Sequence, residues 1–347
     1  MRSVVLVAIM TWLAGVPLWG QGPSGGSSSL SWFKGNTHTH TLNSDGDSTP
    51  DEVVRWYRER GYHFLVVTDH NLVTPVDGLN AVFAFEGRFL VIPGEEISDV
   101  VPSGAGEDAP GIPVHVNALG TRTAILPAGG ATVAEALQRD VAAVEAAGVP
   151  VQINHPNFGW AIAQADLPPS SRPLLLEIFN GHPQVNNLGG NGTLPAEELW
   201  DVWLSAGRKV FGVASDDTHH LKRPWDRRAA SPGRGWVVVR AATLSADTIL
   251  GALGRGEFYA STGVELADWQ VSPEGVSVAI ATRPDDLTRF RIEFIGKGGR
   301  VLRQTDGSDA SYQFTGDEGY VRVRVTDSNG QRAWTQPYFL FSRASAR

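Results

Sequence analysis

The sequence predicts an α/β fold with a parallel sheet, either open or closed into a barrel, followed by a small antiparallel β-sandwich. From residue 31 to about residue 263, short apolar segments alternate with segments that carry helix signals. Histidine or acidic residues follow the apolar segments, always at the same end. Beyond residue 263 polar and apolar residues alternate and no helical segment is found. At about 100–200 residues per domain, a chain of 347 residues is consistent with two domains.

Three segments carry the start and stop signals of α-helices. Residues 49–61 begin with a threonine N-cap and a proline at the first helical position, and a glutamate completes a capping box. The threonine, glutamate and final glycine recur in residues 132–148, and residues 195–207 also end on glycine. These signals predict helices that alternate with the strands.

The apolar segments predict strands with reactive residues at one edge. They cover residues 62–70, 88–96, 149–156, 174–181 and 209–217. Each segment has His, Asp or Glu at or just after its C-terminal end, the edge where parallel α/β folds form active sites. A single such residue would be read as part of a solvated loop. Five at the same edge predict a functional site.

The C-terminal part of the chain has the residue pattern that is typical of a β-sandwich. Its alternating segments cover residues 266–281, 289–296, 311–314 and 320–327, separated by Gly and Asp turns. We therefore predict a barrel domain at residues 31–263 and a sandwich domain at residues 264–347. The sandwich could be a packing lid for the barrel, or it could bind a substrate, a partner or the cell envelope.

The first residues indicate export. Residues 1–20 have an early arginine, an apolar run and small residues at the end, which is typical of a secretory signal peptide, and a Gly- and Ser-rich linker follows at residues 21–30. The alternative is an uncleaved membrane anchor, although Gly15 and Pro17 interrupt a run that is barely long enough to span a bilayer. The chain has no Cys, so neither disulfides nor a lipid on cysteine is predicted. We expect an exported protein, periplasmic or secreted, without stable membrane insertion after cleavage.

The charge of the chain argues against two classes of binding partner. The formal net charge is -8 and the isoelectric point is about 5.6. Lys and Arg form no dense run. These features argue against a nucleic-acid partner and against an anionic membrane surface. The expected partner is a small-molecule substrate.

The segment GNTHTHTLNSDGDSTPDE, residues 35–52, carries the first metal signal. His38 and His40 are two residues apart and would face the same side of a strand, while a turn would bring Asp45 back toward them. Imidazole and carboxylate ligands suit Mn, Fe or Zn. One His-x-His pair is a weak signal, which a polar turn could also produce. Five further clusters strengthen it: TDHN at 68–71, GEEIS at 94–98, PVHVN at 113–117, NHPNF at 154–158 and SDDTH at 215–219.

Taken in order, HTHTLNSDG, VVTDHN, PGEEIS, VHVNALG, INHPNFG and SDDTH resemble the metal-binding motifs of the polymerase-and-histidinol-phosphatase (PHP) family of metallohydrolases. The resemblance covers about residues 33–263, and several motifs in the same order make it specific. The segments EFYASTG at 257–263 and AWTQP at 333–337 bear a looser resemblance to a secreted branch that includes carbaryl hydrolase-like proteins.

The PHP resemblance implies a distorted TIM-like (β/α)7 barrel with up to three metal ions at its C-terminal rim. The implied ligands are His38, His40, Glu96 and Asp217 for one metal, Glu96, His115 and His155 for a second that Glu96 bridges, and Asp45, His70 and His219 for a third. Glu96 is preferred to Glu95 because the family motif reads Gly-x-Glu-Ile, and Asp217 to Asp216 because it reads Asp-x-His. Glu96, Asp217 and His155 are the ligands assigned to catalysis.

The ligand set indicates hydrolysis. Clustered metals lower the pKa of bound water and neutralise charge on substrate oxygens. Six neutral imidazoles and three carboxylates around three divalent ions leave a net charge of roughly +3, which favours an anionic substrate. We therefore predict an exported hydrolase with two or three Mn, Fe or Zn ions, acting as a phosphoesterase on a phosphate ester. A carbamate, amide or carboxylic-ester hydrolase on the same metals is the first alternative, and a non-catalytic metal- or glycan-binding protein is the second.

A few residues near these motifs have two interpretations each. Glu177 and Asn180 could position substrate or water, or could satisfy loop backbone. His182 is predicted to lie at the rim of the pocket. Arg223, Arg227 and Arg228 could clamp a phosphate or belong to a solvated loop.

Overall fold

We describe the fold from a computed structural model of the chain. The described residues are 30–84, 87–104, 110–283, 285 and 287–340. The signal peptide predicted for residues 1–20 lies outside them, as does all of the predicted linker except Leu30. Within the described ranges, no helix is both long enough and apolar enough to cross a membrane.

The N-terminal two thirds of the chain forms nine strands and five helices within the described residues. The strands are β1 (Ser31–Asn36), β2 (Phe64–Val67), β3 (Leu90–Val101), β4 (Ile112–Leu119), β5 (Val151–Ile153), β6 (Leu174–Asn180), β7 (Val210–Ser215), β8 (Trp236–Ala241) and β9 (Phe258–Ser261). The helices are α1 (Pro50–Glu59), α2 (Asp77–Phe83), α3 (Val133–Ala146), α4 (Ala196–Ser205) and α5 (Ala246–Arg255). Short 3-10 turns lie at Phe158–Trp160, Gln164–Asp166 and Lys297–Gly299.

The predicted helices form where their capping signals place them. In α1 the backbone N–H of Thr49 donates to the Glu52 carboxylate at 2.9 Å, which closes one half of the predicted capping box. Gly61 has a φ of +75°, which a glycine adopts without strain, and the chain leaves the helix there. The side chains of Val53 and Tyr57 are buried and pack in the cluster that includes β2. Helix α1 therefore covers the outside of the sheet.

The main sheet is mixed. Its strand order from β9 is β9-β8-β1-β2-β3-β4-β5-β6-β7. The pairs β1–β2, β2–β3, β5–β6 and β6–β7 are parallel, whereas β3–β4, β4–β5, β1–β8 and β8–β9 are antiparallel. The predicted α/β fold is confirmed, whereas the sheet, predicted to be parallel, is only partly so. The regular alternation of strand and helix is wrong at three connections: β3–β4 and β7–β8 are joined without a helix among the described residues, and β5–β6 only by 3-10 turns.

The predicted strand at residues 88–96 does not end at Glu96. Strand β3 runs on to Val101 because residues 94–101 pair antiparallel with β4. Glu96 therefore lies in the middle of β3, and His115 lies in the middle of β4. The length of β3 is determined by its pairing with β4, a later strand. The residue at position 96 gives no sign of this length in the sequence.

Among the described residues, the sheet does not close through a continuous ladder of hydrogen bonds, since β7 is the last strand in its order. The segments after β1 and after β7 meet in an isolated parallel bridge between Thr39 and Thr218. The N–H of His40 donates to the Thr218 carbonyl at 2.9 Å. A closed (β/α)7 barrel is not confirmed, but this bridge brings the segments after the two strands together.

The C-terminal part consists of eight strands within the described residues. They are β10 (Leu266–Val271), β11 (Gly275–Ile280), β12 (Phe290–Gly296), β13 (Arg300–Asp306), β14 (Asp309–Gln313), β15 (Tyr320–Asp327), β16 (Arg332–Thr335) and β17 (Tyr338–Phe339). Strands β10, β11 and β14 form a separate antiparallel sheet. Val278 of this sheet lies in the same buried cluster as Phe294 and Val323 of β12 and β15.

Strand pairing continues across the predicted boundary at residue 263. Strand β16 pairs with β9 in register Trp334 to Ala260, so β13, β12, β15 and β16 extend the main sheet. An independent sandwich is therefore not confirmed, and the division at residue 263 stays a prediction.

Candidate metal centre

The structure brings all nine predicted ligands together, within the fold's longest sheet and the turns after its strands. They form four overlapping groups, in each of which the ligand atoms lie within 4.8 Å of one another. The groups are His38 with Glu96 and His155; His38 with His40 and Asp217; His70 with Glu96 and His115; and His40 with Asp45, His70 and His219. The sequence placed His40 only beside the first metal, whereas the structure also places it beside the predicted ligands of the third.

Glu96 lies at the centre of the cluster. It is fully buried, and its carboxylate approaches five imidazoles. Oε2 lies 3.2 Å from His38 Nε2, 3.2 Å from His40 Nε2 and 3.1 Å from His70 Nδ1, and Oε1 lies 3.1 Å from His115 Nδ1 and 3.2 Å from His155 Nε2. A carboxylate with both oxygens so placed can bridge two metal ions.

The other two carboxylates face opposite parts of the cluster. Asp217 Oδ1 lies 3.3 Å from His38 Nε2 and 3.1 Å from His40 Nε2. Asp45 Oδ2 lies 3.2 Å from His219 Nε2, at the more exposed side. The backbone of Asp217 is held at a φ of +51°, a conformation that aspartate adopts more readily than most residues but that still costs free energy.

The two neighbouring acids that the motifs set aside face elsewhere. Glu95 accepts a hydrogen bond from the Ile125 N–H at 2.7 Å. Asp216 accepts from the Tyr57 hydroxyl at 2.8 Å and from the backbone of residues 233–235. These hydrogen bonds indicate that both residues hold loops in place.

The cluster favours positive charge at its centre. Burial opposes protonation of His38, but the carboxylates of Asp217, Glu96 and Glu177 outweigh burial and raise the pKa of His38 well above its usual 6.5. Burial opposes protonation of His40 as well, but the carboxylates of Asp217 and Glu96, 3.1 and 3.2 Å from its Nε2, raise its pKa to about 9. Burial alone would raise the pKa of Glu96, yet the surrounding imidazoles lower it well below 4.5. Divalent cations would supply the same positive charge.

Buried atoms without hydrogen-bond partners show where a cation would fit. His38 Nε2, His40 Nε2 and Glu96 Oε2 are all buried and make no hydrogen bond within the described part of the chain. Leaving such atoms unpaired costs free energy, because they have lost their hydrogen bonds to water. All three face the same space, and a mixed imidazole and carboxylate set suits Mn, Fe or Zn. The residues present therefore fit a divalent metal.

Further polar residues surround the predicted ligands. Asn154 Nδ2 donates to Glu96 Oε1 at 2.8 Å, and Asn180 Nδ2 donates to Asp217 Oδ2 at 3.1 Å. Glu177, which the sequence left open as a substrate contact, is buried behind His38 instead. Its signal in the sequence was a single acid inside the apolar strand LLLEIFN, because a buried carboxylate needs donors around it.

A cavity of about 400 Å³ opens onto the cluster. Besides seven of the predicted ligands and His220, it is lined by Phe158, His182, Gln184 and Arg228. The ring of His182 lies 5.3 Å from that of His219, which places His182 at the rim predicted for it. Arg228 contributes the only guanidinium among the described lining residues. The cavity is large enough for a small phosphate ester.

No protein-family model and no curated protein matches this sequence. Several chains of solved structures match this chain, among them the following two. The first, from Bacteroides vulgatus, is described as a two-domain protein containing a predicted PHP-like metal-dependent phosphoesterase; it is 16% identical, with 89% of this chain and 96% of that chain covered and a TM-score of 0.48. The second, from Bifidobacterium adolescentis, is described as a proposed metal-dependent phosphoesterase; it is 19% identical, with 55% and 89% covered and a TM-score of 0.34.

This chain is similar to PHP-like metal-dependent phosphoesterases. These neighbours are of the kind named from the motifs, whereas the looser resemblance to carbaryl hydrolase-like proteins stays a prediction. Because both identities are below 25% and both TM-scores below 0.5, what this protein does has to be inferred from its own site.

Proposed function

We propose that this protein is a metal-dependent hydrolase of the PHP type and that it acts as a phosphoesterase. The observation that carries this proposal is the convergence of five imidazoles on the buried carboxylate of Glu96, beside an open cavity. Two or three divalent ions bound there, Mn, Fe or Zn, would activate a water molecule and neutralise charge on substrate oxygens.

The protein's own residues would each have a part in this reaction. His38, His40 and Asp217 would hold ions at the closed end of the cluster, where they are buried. Asp45, His70 and His219 would hold an ion at the open end. His115 and His155 would bind an ion together with Glu96, whose carboxylate also contacts ligands at both the closed and the open end of the cluster. The substrate would enter beside Phe158, whose ring lies 5.2 Å from that of His155.

We also propose that the protein is exported, to the periplasm or the medium. The support is the signal-like pattern of residues 1–20. The proposed substrate is a small phosphate ester, because a site with excess positive charge favours an anion.

The first test is a paired measurement of metal content and hydrolysis. Elemental mass spectrometry of the purified protein is expected to show two or three bound Mn, Fe or Zn ions per chain. The protein should hydrolyse p-nitrophenyl phosphate, and a chelator should abolish this activity by removing the ions. Adding back each metal separately would identify the one that restores the rate.

Two outcomes would contradict the phosphoesterase proposal. Bound metal with cleavage of p-nitrophenyl acetate only would indicate a carboxylic-ester, carbamate or amide hydrolase. No bound metal, even after incubation with Mn, Fe and Zn, would indicate a binding protein without metal catalysis.

We expect Arg228→Ala to weaken substrate binding. Arg228 lines the cavity, and its side chain is 93% exposed, with Nε 3.6 Å from Asp226 Oδ1, a solvent-exposed ion pair that a phosphate could replace. Loss of one charge-assisted hydrogen bond should raise KM for p-nitrophenyl phosphate roughly tenfold, with little change in kcat. Arg227→Ala is the matched control, because Arg227 is exposed in the same loop but does not line the cavity. Equal KM values for the two variants would exclude a role for Arg228.

A further inference from the structure

We propose that Glu177 is a positioning residue that fixes the orientation of three ligands of the metal centre. This inference rests on the proposed function, since it concerns residues that would bind the metals. Glu177 lies on β6, is 1% exposed, and belongs to none of the four ligand groups. The strand has an irregular register with β7 just after it, between Glu177 and Phe179.

The carboxylate of Glu177 is surrounded by hydrogen-bond donors from separate parts of the chain. Oε1 lies 2.8 Å from His38 Nδ1 and accepts from Gln152 Nε2 at 3.1 Å and from the Ser215 hydroxyl, while Oε2 accepts from the His155 N–H at 2.7 Å and from Asn180 Nδ2 at 2.8 Å. An ionised carboxylate only accepts hydrogen bonds. These contacts use both oxygens and point away from the cavity.

The contact with His38 determines which of its ring nitrogens is free. Because the carboxylate accepts, the proton of a neutral His38 must be on Nδ1. Nε2 then presents its lone pair to the space beside Glu96 Oε2, 3.2 Å away. A metal-binding imidazole is usually fixed in this way by an acceptor on its other nitrogen.

Glu177 also supports two ligands that have unusual backbone conformations. His155 has a φ of +22°, and its N–H donates to Glu177 Oε2. Asp217 has a φ of +51°, and Asn180 Nδ2 donates both to Glu177 Oε2 and to Asp217 Oδ2. Such conformations persist only where surrounding contacts hold them. Glu177 provides one of these contacts directly and the other through Asn180.

Glu177→Gln removes this function in either orientation of the new amide. With the NH2 group toward His38, two donors face each other unless the His38 proton moves to Nε2, where it would block metal binding. With the NH2 group on the other side, it faces the N–H of His155 and the amide of Asn180. Loss of the hydrogen bond that orients His38 is expected to weaken metal affinity by about 10- to 100-fold.

The matched control is Glu95→Gln. Glu95 is also fully buried, directly precedes a ligand, and accepts a backbone hydrogen bond from Ile125. Among the described residues, the Glu95 side chain makes no hydrogen bond or ion pair with any of the nine predicted ligands. Both variants lose one buried carboxylate charge, so a difference between them reports on the position of Glu177.

The experiment measures Zn²⁺ affinity by competition with a chromophoric chelator, and which His38 nitrogen carries the proton by long-range ¹H–¹⁵N NMR of the Zn²⁺-loaded protein. We expect the Nδ1–H form of His38 in the wild type and in Glu95→Gln. We expect about 10- to 100-fold weaker Zn²⁺ binding only in Glu177→Gln. Glu177→Asp, which keeps the charge but withdraws it from His38, should also weaken binding.

Each outcome decides between the two proposals. Failure of the wild type to bind Zn²⁺, Mn²⁺ or Fe²⁺ would overturn the proposed function itself. Tight binding by the wild type with equal affinity in Glu177→Gln and Glu95→Gln would overturn only the role of Glu177. If the Glu177 variants do not fold, the wild-type spectrum still decides, because a His38 that carries its proton on Nε2 in the Zn²⁺-loaded protein contradicts the inference.

Discussion

Glu96→Gln is expected to abolish hydrolysis. Five imidazoles lie within 3.1–3.2 Å of this carboxylate, so no other single change removes as many contacts of the cluster. Gln keeps the shape but removes a charge, and it places an NH2 donor where a metal needs a lone pair. If the metals contribute several kcal/mol to the reaction, kcat/KM should fall by at least about 1000-fold.

Metal content should fall together with activity in this variant. The measurement is kcat/KM for p-nitrophenyl phosphate alongside elemental analysis, with Glu95→Gln as the matched control on the opposite face of β3. Glu95→Gln should keep its metals and its rate. Wild-type hydrolysis in Glu96→Gln would show that the proposed metal site is not the catalytic site.

The second large effect is expected on stability, from Arg322→Met. Arg322 of β15 is 1% exposed, and it contacts two buried acids of α4. Nη2 lies 2.7 Å from Asp201 Oδ2, and Nη1 lies 2.9 Å from Glu197 Oε1. Met fills similar space but leaves these carboxylates without their main cation. Breaking a buried pair in this way costs about 3–5 kcal/mol, which should lower Tm by roughly 5–15 °C.

The control is an exposed pair of the same residue types. Arg122 and Asp77 lie 3.4 Å apart with side chains 72% and 85% exposed, so Arg122→Met should cost less than about 1 kcal/mol. Calorimetry of the three proteins checks the prediction. Equal Tm values for both variants would show that the Arg322 contacts do not hold β15 against α4.

The effect of Arg322→Met should depend on pH. Burial would raise the pKa of Glu197, but Arg322 and Arg324 outweigh it and hold the pKa below 4.5. A carboxyl with a lowered pKa stabilises the folded state fully above its unfolded value and loses this contribution as the pH falls through its folded value. The difference in Tm between wild type and Arg322→Met should therefore shrink as the pH is lowered below about 4.5.

These contacts also bear on the role of the C-terminal part. Asp201 lies before the predicted boundary at residue 263 and Arg322 lies after it, and the Tyr320 hydroxyl donates to Asp201 at 2.7 Å as well. Buried ion pairs and continuous strand pairing join the two parts of the chain. Both observations favour a structural role for the C-terminal strands over an independent binding domain.

The sequence by itself determined which residues could bind metal and where several elements begin. The spacing of two identifies His38 and His40 as candidate ligands, and the cap at Thr49 identifies the start of α1. Both signals can be read from the sequence because they depend only on neighbours along the chain. The order of the motifs indicated a resemblance to the PHP family. Charge excluded a nucleic-acid partner from the predictions without any knowledge of the fold.

Only the tertiary structure decided how the ligands share the site and what holds them. Glu96 and His115 meet because β3 and β4 pair antiparallel, and Glu177 reaches His38 across 139 residues of sequence. A strand's register and length depend on its partner strands, and a buried carboxylate's role depends on donors brought from distant segments. Neither is encoded in the spacing of residues along one segment, which is why the cluster was predictable and its supporting contacts were not.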